Sequence, residues 1–439
     1  MTTSNFVSAP TGPTLSLKAA TDMTRDQSFA GTLVSQSTTE LVYSGGRTVY
    51  HLTGSFTFVN GLYGTVTGFS AYTDGILTTV ASGLFVDAVT AVTAGGSMAL
   101  DRLVLVGNVT ESGSAGNDVL LVGTGGFSQV NGGGGIDTAV LQAGFRTSTV
   151  STSGATIQVA TTNGSASLTG IANVAFVDGR MTFDTTDHAS AVNRLYNAAL
   201  GRSPDQTGLA YWNNNLAHGA SLNDLSGGFL ASNEFAARFP AAAGPDSGAL
   251  IDQLYQNVLH RAPDASGKAY WVKALDTGAN TRAVVLSSFS ESAENQADTA
   301  NVVASGLWVA DPVAAQIARL YDTALGRLPD FTGLSNFKTQ MEVNGQSLNQ
   351  VAAQLVASSE YQTKFGGLSN QDFVTNLYGN ALGTGVDTVG LASWLKAMSH
   401  GFTKADVIVG FSESAAHIAN TAANVMSDTQ GQYGIKFSS

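Results

Sequence analysis

One motif occurs four times in the second half of the chain and constrains the fold more than any other feature. Each copy begins with a leucine-tyrosine pair and carries a second aromatic residue sixteen positions after the tyrosine. Because this spacing is constant while the tyrosines lie 59, 66 and 57 residues apart, the motif predicts one structural unit used four times with loops of variable length. The aromatic pairs are Tyr196 and Trp212, Tyr255 and Trp271, Tyr321 and Phe337, and Tyr378 and Trp394.

The residues around the first tyrosine follow a helical period. The segment from Val192 to Ala199 places apolar side chains at i, i+3, i+4 and i+7, which predicts a helix with one apolar face. Gly201 suits the left-handed residue that ends a helix, Pro204 prevents continuation, and Asp205 can cap the next helix. Ser221–Asp224 resembles a capping box that begins a third helix. We therefore predict an all-α region of four repeats, each of three or four short helices, at 187–244, 245–311, 312–368 and 369–425.

The charged residues of the motif have two interpretations. The aspartates either present carboxylates to a ligand or cap helices, and we favour capping, which is worth ~1 kcal/mol for each helix. The arginines are expected to pair with glutamates at the ends of the repeats. Repeat 4 has Thr384 in place of the arginine, which is typical of a looser terminal repeat. The aspartates are Asp205, Asp264, Asp330 and Asp387; the arginines are Arg202, Arg261 and Arg327, with expected partners Glu234, Glu291 and Glu360.

The aromatic residues of the motif have two interpretations as well. Aromatic side chains beside leucines at helical spacing are typical of a hydrophobic core, and this is the interpretation that we favour. Four regularly placed aromatic faces are also able to stack on the sugars of a polysaccharide. The exposure of Trp212, Trp271 and Trp394 would discriminate between the two.

Residues 26–185 read as a β-rich domain that follows an N-terminal arm at 1–25, either a mobile arm or an edge segment. Short runs such as Tyr50–Val59, Leu103–Val106, Val119–Val122 and Ala155–Ala160 predict strands, separated by glycine and asparagine. This pattern predicts an all-β domain, either a β-sandwich or a β-roll or solenoid. The predicted fold class is therefore multidomain α+β, with this domain preceding the helical repeats.

A glycine-rich segment at 113–140 carries a candidate metal site. Gly132–Val140 fits the nonapeptide pattern G-G-x-G-x-D-x-U-x, and Gly113–Leu121 fits it with one glycine missing. In such turns, backbone carbonyls and aspartate oxygens coordinate Ca²⁺. The segment therefore either binds calcium as a cofactor, one or two ions at most, or is a glycine-rich turn without metal. The candidate ligands are Gly116, Asp118, Gly133, Gly135 and Asp137.

Charge and composition exclude several classes of function. The net charge of −12 argues against nucleic-acid partners, because no basic surface is available to displace counterions. Cysteine is absent, and no apolar run reaches the ~18 residues of a membrane span. The N-terminus lacks the basic and apolar regions of a cleaved signal. The histidines are scattered, and we find no phosphate-binding loop or nucleophile elbow, so we do not expect an enzyme.

The motif LY-x-x-x-LGR-x-PD-x-x-G-x-x-YW, followed by GF-x-x-S-x-E, resembles a bacterial domain of unknown function. That domain occurs in tandem in surface and exported proteins and is distantly similar to the linker domain of phycobilisomes. The resemblance covers about residues 187 to 425. Upstream, the segment from Leu168 to Gly179 looks like the strand and turn that precede such repeats in calcium-binding RTX-type proteins. The scarcity of nonapeptides departs from that family.

The resemblance implies export by type I secretion, and the tail at 426–439 is compatible with the uncleaved signal of that route. We therefore expect an extracellular or cell-surface protein of structural or adhesive function that assembles with itself in a surface layer, filament or matrix. The alternative is a module that binds exopolysaccharide. A third hypothesis is a hydrolase in the β-rich domain.

Overall fold

The computed structural model describes most of the chain. Its described residues are 3–6, 14–17, 32–45, 48–57, 63–73, 76–87, 109–113, 115–427 and 432–438, with side chains described at 35–43, 51–52, 55, 110–113, 115–427 and 432–438. The chain divides into two compact units, which we call the roll unit (1–180 and 310–439) and the helical unit (181–309). All described strands but Leu307–Ala310, which lies between two helices, precede the helices, so the predicted α+β fold class is confirmed. The predicted domain limits stay predictions.

The strands form a large sheet of twelve strands and a small sheet. They are β1 (Thr3–Phe6), β2 (Thr14–Leu17), β3 (Thr32–Gln36), β4 (Glu40–Gly45), β5 (Thr48–Thr57), β6 (Tyr63–Thr73), β7 (Ile76–Asp87), β8 (Val109–Ser112), β9 (Val119–Leu121), β10 (Phe127–Asn131), β11 (Thr138–Val140), β12 (Thr149–Ser153), β13 (Thr156–Thr161), β14 (Gly164–Thr169), β15 (Asn173–Phe176), β16 (Gly179–Thr182) and β17 (Leu307–Ala310). The order in the large sheet is β12-β13-β14-β10-β8-β1-β2-β7-β6-β5-β4-β3. The chain passes from one unit to the other within β16 and within β17.

The predicted N-terminal arm contributes β1 and β2, which lie inside the large sheet and not at its edge. The rest of that arm lies outside the described residues, as does the predicted strand Leu103–Val106.

The end of the β-rich segment is a parallel β-roll. Strands β8, β10 and β14 run parallel in the large sheet, and β9, β11 and β15 run parallel in the small sheet. Each coil therefore consists of a strand of the large sheet, a turn, and a strand of the small sheet. Side chains alternate between core and solvent, as a strand requires: in β10, Ser128 and Val130 are buried and their neighbours are exposed. The predicted roll therefore describes the end of the β-rich segment, whereas β3 to β7 pair antiparallel in succession within the large sheet.

The described residues contain seventeen α-helices. They are α1 (His188–Leu200), α2 (Gln206–Ala217), α3 (Leu222–Leu230), α4 (Asn233–Arg238), α5 (Pro240–Ala243), α6 (Ser247–Leu259), α7 (Ala265–Asp276), α8 (Arg282–Ser290), α9 (Ala293–Ala304), α10 (Pro312–Leu325), α11 (Phe331–Glu342), α12 (Leu348–Ala357), α13 (Ser359–Phe365), α14 (Asn370–Leu382), α15 (Thr388–Ser399), α16 (Lys404–Ser412) and α17 (Ala415–Val425). Repeat 1 contains α1–α5, repeat 2 α6–α9, repeat 3 α10–α13 and repeat 4 α14–α17.

The helix ends follow the predicted chemistry. Gly201 adopts φ 60° at the end of α1, the left-handed conformation that glycine tolerates without strain. Ser221 and Asp224 form the reciprocal hydrogen bonds of a capping box at the start of α3. Among the described residues, His260 is the one non-glycine residue with positive φ, and it ends α6 at φ 50°.

The four repeats pack as two pairs. In the first pair, Leu195 of repeat 1 and Leu254 of repeat 2 belong to one buried core. In the second pair, Leu320 of repeat 3 and Leu377 of repeat 4 belong to another. Because one repeat of about sixty residues buries little surface, two repeats share a core that neither completes alone.

The chain beyond α17 packs back onto the roll unit. Ile435 is 1% exposed and belongs to the core of the second pair. Its backbone N–H donates to the buried Asp178 carboxylate (2.7 Å), which also accepts from the N–H of Phe145 (2.9 Å). Burial raises the pKa of Asp178 to about 6. The ring of Phe437 lies against Gly144, where a Cβ would overlap it. The predicted export signal in this tail stays a prediction, and residues 428–431 and 439 lie outside the described residues.

Candidate functional site

The four motif aspartates stand at the starts of helices. Each side chain accepts a hydrogen bond from the backbone N–H of the glycine three residues later. The Asp-to-Gly distances are 2.8 Å for Asp205, 2.8 Å for Asp264, 2.7 Å for Asp330 and 3.0 Å for Asp387. This is the geometry that the capping interpretation predicts, since the first N–H groups of a helix have no partner within it.

The tyrosine hydroxyls pack against the same glycines. At Gly208, Gly267, Gly333 and Gly390, an added Cβ would overlap the hydroxyl of the tyrosine from the same repeat. The tyrosines are buried, with 5–7% exposure at Tyr196, Tyr255, Tyr321 and Tyr378. Burial is the main cause that raises the pKa of Tyr196 and of Tyr321 to about 12. The motif P-D-x-x-G therefore encodes a cap together with a docking place for an aromatic side chain.

The second aromatic residue of each repeat is half-buried. Trp212, Trp271 and Trp394 pack on a phenylalanine of the third helix, with ring centroids 5.1, 5.4 and 5.5 Å apart. Phe337 packs on Tyr321 instead, at 5.9 Å. These rings belong to the edge of each repeat core.

Two exposed aromatic residues precede these tryptophans. Tyr211 is 60% exposed and Tyr270 is 64% exposed, and each meets its neighbouring tryptophan edge-on at 4.8 and 5.1 Å. The equivalent positions of repeats 3 and 4 hold Asn336 and Ser393. The sequence interpretation concentrated on the tryptophans and missed these tyrosines, although the doublet Tyr-Trp in repeats 1 and 2 was visible.

Two of the three expected arginine-glutamate pairs are present. Arg202 binds Glu234 through Nε at 2.8 Å and Nη2 at 2.9 Å. Arg327 binds Glu360 at 2.9 and 2.7 Å. Hydrogen bonds from Arg327 and Lys364 lower the pKa of Glu360 to about 2.

The expected pairing of Arg261 with Glu291 is wrong. Glu291 binds Arg194 of repeat 1, and the Arg261 guanidinium lies over the ring of Tyr255 at 5.4 Å. The physical reason is register. Glu234 follows the serine that caps its helix, whereas Glu291 precedes its capping serine, Ser292, and so points toward another repeat.

The two glycine-rich turns of the roll stack on each other and bring the predicted metal ligands together. The Asp137 carboxylate accepts from the backbone N–H of Asp118 (2.8 Å). A Cβ at Gly135 would lie 2.7 Å from the carbonyl of Gly116. Gly133 and Gly135 adopt φ 89° and 100°, values that favour glycine. The predicted ligands therefore belong to one place in the structure.

The electrostatics of these turns suit a cation. Asp118 and Asp137 are 3% and 0% exposed. The second carboxylate oxygen of Asp137, Oδ2, is buried and has no hydrogen-bond partner within the described residues. Burial, chiefly, and the charge of Asp118 raise the pKa of Asp137. The described residues contain no group of three or more acidic or histidine side chains suited to a metal. Calcium would therefore need backbone carbonyls of the glycine turns beside the two carboxylates, and it stays a prediction.

The helical segments carry the family relationship. Three segments of the chain match the family model of DUF4214, a domain of unknown function, at residues 179–239, 241–299 and 352–421. The first two DUF4214 segments cover most of repeats 1 and 2, and the third begins within α12 of repeat 3 and extends through most of repeat 4. Comparisons with the curated proteins and with the solved structures give no match. Among the described helices, none has both the length and the apolar character that crossing a membrane requires.

A second arginine clamp joins neighbouring repeats. Arg194 of repeat 1 binds Glu291 of repeat 2 at 3.0 and 2.6 Å, and Arg319 of repeat 3 binds Glu413 of repeat 4 at 3.0 and 2.6 Å. The arginine side chains are 7% and 9% exposed. Sequence reasoning missed this clamp.

The signal for the clamp was an alternation between repeats. Odd repeats carry arginine two residues before the tyrosine, where even repeats carry Gln253 and Asn376. Even repeats carry glutamate directly before the capping serine, where odd repeats carry Ala231 and Ala357. The four repeats therefore alternate between two complementary kinds.

Proposed function

We propose that this protein is an extracellular structural or adhesive scaffold that assembles with itself in a surface layer, filament or matrix. The observation that carries the proposal lies at the two ends of the large sheet. Its end strands, β12 and β3, have the sequences TVSTS and TLVSQ. Neither strand contains a charge or a proline.

Uncharged end strands favour the addition of another sheet. An edge strand presents unpaired backbone N–H and C=O groups, and most proteins protect such edges with lysine, proline or a covering segment. In the described residues of β12, the side chains are mostly exposed serine and threonine. Because β12 and β3 are different surfaces, contact between them in successive copies is head to tail, and it produces a filament when the rotation between copies does not close a ring.

The internal chemistry of the repeats supports the same proposal. The motif carboxylate of Asp205 caps a helix, and Arg194 clamps repeat 1 to repeat 2, so these charged groups have structural partners within the chain. In the proposed scaffold, calcium would hold the stacked turns at Asp118 and Asp137 and stiffen the roll.

Assembly is tested by placing a charge on β12. Ser151→Lys puts a lysine on the outer face of the end strand, and Ala160→Lys puts the same charge on the exposed face of the neighbouring strand β13. We expect the wild-type chain and Ala160→Lys to form filaments in electron micrographs. Ser151→Lys should need an about tenfold higher concentration, measured by light scattering. A wild-type chain that stays monomeric at high concentration, or equal behaviour of both variants, would contradict the proposal.

A second candidate function is exopolysaccharide binding. Tyr211 and Tyr270 expose aromatic faces at equivalent places of repeats 1 and 2, and Asn213, Asn214 and Asn215 follow the first of them. Tyrosine faces with nearby amides suit sugar rings and hydroxyls. Co-sedimentation with exopolysaccharide should weaken in the double variant Tyr211→Ala, Tyr270→Ala, and not in Phe402→Ala, another exposed aromatic residue. Equal binding by the two variants would remove this candidate.

A further inference from the structure

A polar cavity of about 420 Å³, open to solvent, lies on the second repeat pair where α10, α14 and α17 meet. The Asp322 carboxylate lines it together with the amides of Asn380, Asn420 and Asn424. The end of α14, at Gly383, forms a further part of the wall. The last carbonyls of a helix carry partial negative charge. The carbonyls of Ala381 and Leu382 already bond to His417 and Asn420, so the negative charge of the lining is that of the Asp322 carboxylate.

The first repeat pair shows what fills the equivalent place. His260 lies five residues after its tyrosine, as Gly383 does in repeat 4. The His260 ring bonds to Asp298 at 3.3 Å, and the Asn197 amide donates to the same carboxylate at 3.0 Å. The imidazole of the chain itself thus supplies the nitrogen partner of this carboxylate.

The second pair exchanges all three residues and retains one carboxylate. Asp298 corresponds to Asn420, since each lies six residues after the capping serine of its helix. Asn197 corresponds to Asp322, since each directly follows the motif tyrosine. The carboxylate has therefore moved from the last helix to α10, across the same groove. The imidazole is replaced by Gly383, where an added Cβ would have no atom within 4 Å.

The carboxylate is held in place from its other side. The buried ring of His417 lies 3.6 Å from Asp322 through Nε2. The His417 ring is held by hydrogen bonds between Nδ1 and the Ala381 carbonyl (2.7 Å) and between Nε2 and the Thr323 hydroxyl (3.0 Å). Burial raises the pKa of Asp322, and the charge of His417 lowers it. A cation in the cavity would further favour the ionised carboxylate.

We propose that this cavity binds an organic cation, a protonated imidazole- or amine-type nitrogen that takes the place His260 fills in the first pair. Asp322 accepts its hydrogen bond, and the amide oxygens of Asn380 and Asn420 are suited to further N–H donors. The cation comes either from a free small molecule or from a basic side chain of a second copy. The site is independent of the proposed scaffold function.

The probe for the free molecule is imidazole at about pH 6, where most of it is protonated, followed by ligand-observed NMR on the full chain. We expect saturable binding with a dissociation constant of about 1–10 mM, as suits one small cation. Asp322→Asn copies the first pair and should weaken binding at least about tenfold. Gly383→His places an imidazole where the first pair has one. This ring should occupy the cavity and weaken binding of the imidazole probe by a similar factor. Asp298→Asn, in the first pair, is the matched control and should bind as the wild type does.

Whether the cation is a basic side chain of a second copy is tested by light scattering of the wild type and Asp322→Asn, below the concentration at which filaments form. A wild-type dimer that both imidazole and Asp322→Asn dissociate identifies the cation as a side chain of a second copy. Saturable binding to a monomer identifies a free molecule. Circular dichroism and the melting temperature report whether each variant is folded, and the Gly383→His result keeps the test decisive if Asp322→Asn unfolds. The proposal is overturned if the wild type shows neither response, or if both cavity variants bind imidazole as tightly as Asp298→Asn.

Discussion

Arg319 and Glu413 form a two-point ion pair, 3.0 Å from Nε to Oε1 and 2.6 Å from Nη2 to Oε2, between repeats 3 and 4. The same pair, at the same two distances, joins Arg194 and Glu291 between repeats 1 and 2. Since the arginine comes from the odd repeat and the glutamate from the even one, the structural module of this chain is a pair of repeats.

Removing the glutamate of the Arg319–Glu413 clamp should lower the free energy of unfolding. Glu413→Gln leaves the Arg319 guanidinium, 9% exposed, without a counter-charge. We expect a loss of about 3 kcal/mol in the free energy of unfolding, measured with urea. The control is Glu234→Gln, which breaks a clamp with a 43% exposed acid and should cost less than about 1 kcal/mol. Equal losses in the two variants would show that burial of the clamp is unimportant.

The glycine under the tyrosine hydroxyl should not tolerate a methyl group. In Gly208→Ala, the new Cβ overlaps the hydroxyl of Tyr196, so repeat 1 must shift, at a cost of about 1–3 kcal/mol. Gly227→Ala is the matched control because Gly227 lies in α3 with no atom within 4 Å of the added Cβ. Alanine should stabilise that helix by about 0.5–1 kcal/mol. Melting temperatures that move in the same direction would contradict the packing described.

Asp178 should make the roll unit less stable as the pH rises. Its folded pKa of about 6 lies above the ordinary value of 3.8, so the folded state holds a proton that the unfolded state releases. The stability that this group contributes is greatest below about pH 4 and decreases by about 3 kcal/mol as the pH rises from about 4 through 6. Thermal unfolding between pH 4 and 7 should therefore show a slope in the wild type that Asp178→Asn lacks. A constant difference between the two proteins over this range would refute the assignment.

Calcium should raise the melting temperature of the roll unit. A ligand that binds only the folded state at one hundred times its dissociation constant adds about 2.7 kcal/mol. Asp137→Asn removes a buried carboxylate and should abolish the difference between Ca²⁺ and chelator. Asp252→Asn alters an exposed aspartate of the helical unit and should retain it. If the wild type melts at the same temperature with Ca²⁺ and with chelator, the glycine turns act without metal.

Local chemistry made much of the helical region predictable. The motif around Asp205 and Pro204 determines a helix end and a helix start within a few residues, and Gly201 adopts the conformation expected of it. The nonapeptide spacing of Asp118 and Asp137, nineteen residues, matches one coil of the roll. These helix ends and turns are determined by residues close together in the sequence, so local sequence patterns predict them.

Distant partners were not predictable in the same way. Arg194 and Glu291 are 97 residues apart, and the sequence around either residue does not identify the other as its partner. Glu291 lies one residue before its capping serine, whereas Glu234 lies two residues after its own, and this difference directs the two carboxylates to different repeats. The order of the large sheet likewise depends on pairing between strands such as β1 and β8, about a hundred residues apart in sequence. The partner of Arg194 and the order of the strands are determined by the packing of the whole unit.

The alternation of the clamps restricts how this chain can grow. A gene that duplicated one repeat would leave either an arginine without an acid or an acid without an arginine, and its product would fold poorly. Duplication of two successive repeats copies both the arginine and the glutamate of the clamp. We therefore expect lengthened descendants of this chain to gain these segments in even numbers.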